Sequence, residues 1–301
     1  TARGWVIISA MWGVTNALQS GIKSDWMVDQ LSLAEHPQRT TAFSQNAVVG
    51  NIGLILGGLI AALVAHTDIS LIWIAGTVGS LLSFLVVLMI PNGNPLTNQA
   101  RPSWRVFGSD LRELLRTYIT KAPFPLLAGL ETTTTIVLSA YILLMPLYLK
   151  GTWHLADATF GILGSLAAAA GILGAILSAR LEKRLGMRRV ALLFALLIPL
   201  TFYGFASAQL FAIVIFFYLL GEALLFGWDP IEQSFIQQFL PAGIRASMLS
   251  VSSTLQLMVR SLTQFAVGFL LIFWQPQTVI VAIALLLIFW PLIIATVLAR
   301  K

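Results

Sequence analysis

The sequence predicts an all-α, polytopic helical membrane protein, and three observations carry that prediction. Apolar residues make up 58% of the 301 residues and charged residues only 10%, with a mean hydropathy of +0.88. A soluble domain carries about 25% charged residues. The apolar residues gather in runs of the roughly 20 residues that a helix needs to cross a bilayer core. Finally, the runs lack the period-2 alternation of a transmembrane β-barrel.

Nine spans follow, near 4–29, 42–66, 70–90, 122–149, 156–180, 189–207, 209–238, 246–273 and 276–299. In the first, Asn16, Gln19 and Lys23 recur at three- and four-residue steps and so share a helix face. The second carries Gly53, Gly57 and Gly58, a small-residue step that lets helices approach closely. The third has no ionisable residue, like the apolar interiors of the sixth and ninth, which reads as lipid-facing support. Residues 91–121 form a long connection: Pro91, Gly93, Pro95 and Pro102 open it, and Trp104, Phe107, Leu111, Leu114, Leu115 and Tyr118 follow at helical spacing between arginines. This fits either an amphipathic helix on the cytoplasmic leaflet or a simple tether.

The fourth span carries Glu131, Thr132–Thr135 and, on the same face, Tyr141 or Ile142. The fifth is rich in small residues, with Gly161, Gly164, Ala167–Ala170, Gly171 and Gly174. In the seventh, Glu222, Phe226 and Asp229 share a face, and Pro230 removes a backbone donor and predicts a kink. The eighth carries a stripe of Ser253, Gln256, Arg260, Thr263 and Gln264. Polar groups are costly in hydrocarbon, so four such stripes imply a wet central cavity or hydrogen bonds between helices. Glu222 and Arg260 both fall mid-span, where a lone charge costs several kcal/mol. Either they pair, or Glu222 takes up a proton.

Charge distribution sets the expected orientation. With the C-terminus in the cytoplasm, the inner loops and tail hold 14 of the 18 Lys and Arg residues, while the outer side holds Arg3 and Lys150. The positive-inside bias therefore predicts this chain's N-terminus outside and its C-terminus cytoplasmic, in a bacterial inner or plasma membrane. The net charge of +6 is then a topology effect, and no nucleic-acid partner is expected. The absence of Cys excludes disulfides, Cys-ligated zinc and thiol catalysis. His36, His66 and His154 are scattered, so no metal site is expected. No nucleotide-binding glycine loop or Ser/His/Asp arrangement supports an enzyme.

A pattern recurs along the chain. Gly21 and Arg39 lie 18 residues apart, as do Gly227 and Arg245. Asp25 and Asp29 lie between the first pair, Asp229 and Glu232 between the second. Such a signature fits two parallel halves. Aligning the halves predicts roughly 85 residues, about three helices, before Thr1.

These features resemble the major facilitator superfamily of secondary transporters. The loop Ala179-Arg-Leu-Glu-Lys-Arg-Leu-Gly-Met-Arg-Arg189 is similar to the family's loop signature through Leu181, Arg184, Gly186 and Arg188. Ala179 stands for the first glycine and Lys183 for the aspartate. Gly53, Gly57 and Gly58 resemble the family's antiporter motif, with Leu54 in place of its proline. The resemblance reads the chain as helices four to twelve of a two-bundle fold: a partial N-terminal bundle (1–90), a cytoplasmic connector (91–121) and a six-helix C-terminal bundle (122–301).

It implies alternating-access transport of a small molecule, with proton coupling and export as its common forms, no cofactor, and a monomer when full length. The expected substrate and proton pathway comprises Glu222, Arg260, Glu131, Gln256, Asn16, Gln19 and Lys23. The expected cytoplasmic gate comprises Asp25, Asp29, Asp229, Arg245, Arg184 and Arg188. The alternative is a non-transporting membrane interaction or regulatory protein, or an inactive transporter fragment.

Overall fold

The computed structural model describes residues 36–67, 71–89, 116, 124–239 and 245–299. These contain eight helices: α1 (His36–Ala65), α2 (Leu71–Met89), α3 (Phe124–Trp153), α4 (Asp157–Leu185), α5 (Met187–Ser207), α6 (Phe211–Phe239), α7 (Arg245–Leu270) and α8 (Pro276–Ala299). They match the second to ninth predicted spans. The first span, and the connector apart from Arg116, lie outside the described residues. Five helices are long and apolar enough over their described residues to cross a membrane, by length and composition: Thr41–Ala65 of α1, Glu131–Trp153 of α3, Asp157–Leu185 of α4, Arg189–Ser207 of α5 and Phe211–Ser234 of α6. Helices suit a bilayer because every backbone N–H and C=O finds its partner within the element. α6 runs unbroken through Pro230, as α3 does through Pro146 and α5 through Pro199.

Short connections fix the order of packing. Gly186 alone joins α4 to α5. It adopts φ 79°, a region that favours glycine, and its N–H bonds the Glu182 carbonyl at 2.9 Å. That is the structural reason for the glycine in the basic loop signature. Between α3 and α4, Lys150 pairs with Asp157 at 2.7 Å. The pair is exposed, so its worth is small, but Asp157 also sits favourably at a helix N-terminus.

α4 is the hub, packed extensively on both α1 and α6. Its small residues explain why. A Cβ on Gly161 would meet the Gly58 carbonyl at 2.6 Å and the Ala62 backbone nitrogen at 2.7 Å. A Cβ on Gly174 would collide with the Ala223 carbonyl, and one on Gly227 would meet the Gly174 carbonyl at 2.9 Å. Of the glycines expected to mediate close packing on α1, only Gly58 does so; Gly53 and Gly57 face open space. Two side-chain bonds cross the same α1–α4 seam: Ser44 Oγ donates to the Ala175 carbonyl at 2.8 Å, and Ser165 Oγ to the Ile55 carbonyl at 3.0 Å.

A second centre of packing joins α3, α5, α6 and α8. Tyr141, Tyr148, Phe202, Phe205 and Tyr218 interlock here, with Tyr141 stacked on Tyr218 at a centroid separation of 5.7 Å. Here α5 departs from the expectation of a simple lipid-facing support. It buries Phe194, Ile198, Phe202 and Phe205 on one face while Leu193, Leu196, Leu200 and Tyr203 stay exposed on the other. Its apolar stretch beyond the first turn serves the core and the lipid alike.

Gly174→Ala is expected to destabilise the fold by about 1–3 kcal/mol, the usual cost of overpacking. The check is a lower melting temperature of the detergent-solubilised protein. Gly164→Ala, with no atom within 4 Å of the new Cβ, serves as the silent control.

Candidate functional site

Four carboxylates line one cavity of about 370 Å³: Glu131 on α3 and Glu222, Asp229 and Glu232 on α6. Thr134, Thr135 and Leu138 complete the α3 wall, and Gln256 closes the cavity from α7. Helical spacing explains the grouping. Residues 222, 225, 226, 229 and 232 follow three- and four-residue steps on α6, as do 131, 134, 135 and 138 on α3.

Glu131 anchors the inner wall. It is 5% exposed, and Ser252 Oγ donates to its Oε1 at 2.6 Å. Gln256 Nε2 donates to the same oxygen. Glu232, 8% exposed, lies beside Glu131, with Asp229 and Trp228 also around it. Trp228 is 3% exposed and lies beside Glu232. Among the described residues, no group of three or more acidic or His side chains is arranged to hold a metal ion.

The expected residues divide into three groups. Glu131, Glu222 and Gln256 meet in the cavity, and Asp229, expected at a gate, lines it too. Arg260 lies one turn beyond Gln256 on α7, half-buried, and no ion pair joins it to Glu222. Arg184 is exposed in the last turn of α4. Arg188 and Arg245 are placed only as backbone positions in α5 and α7, so their side chains lie outside the described residues, as do Asn16, Gln19, Lys23, Asp25 and Asp29 entirely.

Details of the stripes differ from the sequence reading. On α7 the bond to Glu131 comes from Ser252, which is buried, and not from Ser253. On α3 the cavity face ends at Leu138, while Tyr141 turns into the aromatic core and Ile142 is exposed. The first is a shift of one residue in helical phase; in the second the cavity ends one turn earlier along the same face. The four-residue step from Ser252 to Gln256 was a usable signal; nothing in the sequence marked Trp228. Ser252→Ala is expected to cost about 1.5–3 kcal/mol if the bond it loses is charge-assisted, read as a lower melting temperature, while Ser253→Ala leaves stability unchanged.

Comparison with known proteins agrees with this architecture. Residues 5–264 match the family description Major Facilitator Superfamily. Among solved structures, a bacterial homologue of the iron transporter ferroportin, in an outward-facing state, superposes with a TM-score of 0.59 at 20% identity. That likeness covers 88% of this chain and 66% of the other, so the chain spans just under two thirds of that structure's length. A bacterial ferroportin homologue in the same state with soaked iron gives a TM-score of 0.48 at 18% identity, covering 93% of this chain and 87% of that one. No curated protein matches the chain in sequence. At these identities the structural likeness is one of fold. Because the family match spans most of the chain, the protein belongs to the Major Facilitator Superfamily.

Proposed function

We propose that the protein is a secondary active transporter, moving a small molecule across the membrane by alternating access and coupling its export to protons. The observation that carries this reading is the four-carboxylate cavity, its carboxylates carried by α3 and α6, two helices long and apolar enough to cross a membrane. Ionisable groups are retained within spans chiefly where they line a pathway or a proton relay. Glu222 is the coupling group in this reading: it stands mid-helix, lines the cavity and has no ion-pair partner in Arg260. Glu131 and Glu232 form a second protonatable pair towards one end. The chemistry is binding and release with no covalent step, so the protein is not an enzyme and needs no cofactor.

The remaining assignments follow the charge pattern and the fold. The C-terminus is cytoplasmic, the membrane is a bacterial inner or plasma membrane, and the protein is a monomer when full length. Residues 1–90 belong to one bundle, 91–121 to the connector and 122–301 to the other bundle. Asn16, Gln19 and Lys23 face the pathway from the first bundle. Asp25, Asp29, Arg184, Arg188 and Arg245 form the cytoplasmic gate with Asp229. Arg260 also serves the pathway: α7 packs mainly on α3, and a mid-span guanidinium turned to lipid would be costly.

Two outcomes are expected in proteoliposomes. Glu222→Gln abolishes proton-driven flux of the transported solute while sparing solute exchange; undiminished proton-driven flux overturns the assignment. Arg260→Ala lowers substrate affinity roughly ten- to a hundredfold, the worth of a lost charge-assisted bond. A mutant that loses only expression places Arg260 in the structural frame instead.

A further inference from the structure

A second cavity, of about 530 Å³, lies between α1, α4 and α6. It reaches from mid-helix to the ends marked by Ala65 and Asp157. The carboxylate cavity extends the other way, towards Glu131 near the start of α3 and Glu232 near the end of α6. The two cavities share two wall residues, Glu222 and Phe226.

Phe226 has a built seat. A Cβ on Gly171 would meet Phe226 Cδ2 at 2.8 Å and Cγ at 2.9 Å, so its ring lies flush on the bare backbone of α4. On the same spot a Cβ would meet Asn51 Oδ1 at 3.0 Å. Asn51 is 1% exposed; its Nδ2 bonds the Ala47 carbonyl at 2.9 Å and its Oδ1 has no hydrogen-bond partner. Asn51, Gly171 and Phe226 each stand near the middle of their helices, so α1, α4 and α6 converge at one level. An orphaned buried carbonyl costs free energy. A contact held at that cost, closed by an aromatic ring over a glycine notch, is suited to open and close.

We propose that Phe226 is the septum between two half-pathways, and that Glu222, one turn away, is the carboxylate each half-pathway reaches. The proposal rests on the transport reading above and gives it a specific barrier residue. With the ring seated on Gly171, solute and ions on one side are separated from the other while Glu222 stays at the boundary. Lifting the ring joins the compartments and frees Asn51 Oδ1 to meet water or a solute donor. A ring this size is needed because the notch has no side chain of its own to fill the gap.

The test uses thiol accessibility, which needs no substrate and so fails or succeeds independently of any flux assay. The 301 residues contain no Cys, so single reporters can be placed at Ala61→Cys in the first cavity and Thr135→Cys in the second. A membrane-impermeant, charged thiol reagent is applied from the Ala61 side of full-length protein in sealed vesicles. With Phe226 present, the Ala61 reporter labels and the Thr135 reporter labels slowly. Phe226→Ala is expected to raise Thr135 labelling at least about tenfold, because a connecting state otherwise sparsely populated becomes the dominant one. Phe226→Tyr restores the slow rate and Phe226→Leu gives an intermediate one. Unchanged labelling in folded Phe226→Ala overturns the proposal. If that variant does not fold, the Leu variant decides alone: a rate equal to that with Phe226 overturns it.

Discussion

The close approach of α4 to its neighbours is the constraint on which the rest of the structure depends. Between helices in lipid there is little hydrophobic driving force, so association relies on backbone contact and on bonds that span the seam. Here Gly161 meets the backbone of α1 at Gly58 and Ala62, and Gly174 meets α6 at Ala223 and Gly227. With no side chains between them, the Ser44 and Ser165 hydroxyls can reach backbone carbonyls across the α1–α4 gap. One cavity runs along this spine, with Gly58 and Gly161 in its wall, and the other lies between α3, α6 and α7.

The same architecture separates two kinds of polar group. Hydroxyls on the apolar faces satisfy themselves locally, as Ser139 does with the Thr135 carbonyl at 2.5 Å, and Thr201 with the Ile198 carbonyl at 2.7 Å. Carboxylates cannot do this, since helix carbonyls offer them no donor. They must find donors on another helix or face water. Glu131 takes the first course through Ser252 and Gln256, and Glu222 the second at the boundary of two cavities. Polar residues inside apolar helices are therefore informative about function only once their partners are known.

Much of the candidate site was legible in the sequence. Glu131, Glu222 and Gln256 stand out because charged or amide side chains are rare inside apolar runs, and the α6 face of Glu222, Phe226 and Asp229 followed from spacing alone. Equal depth left Glu222 either paired with Arg260 or protonated, because depth along a helix says nothing of rotation about its axis. A difference of one position turns a side chain by about 100°, which is why Ser252 and not Ser253 bonds Glu131.

Sequence by itself determined that the chain forms long apolar helices and where eight of them lie. A run of some 20 apolar residues has one way to satisfy its backbone in lipid, so composition and length suffice. It also marked Gly186, because one basic loop had to turn through a backbone angle that glycine tolerates. Only the tertiary structure decided which glycines touch and which face open space, which carboxylates meet, and that Phe226 comes to rest on Gly171. Those outcomes depend on the relative rotation and crossing of helices far apart in sequence. Such quantities arise from the packing of whole surfaces, and no local pattern of residues encodes them.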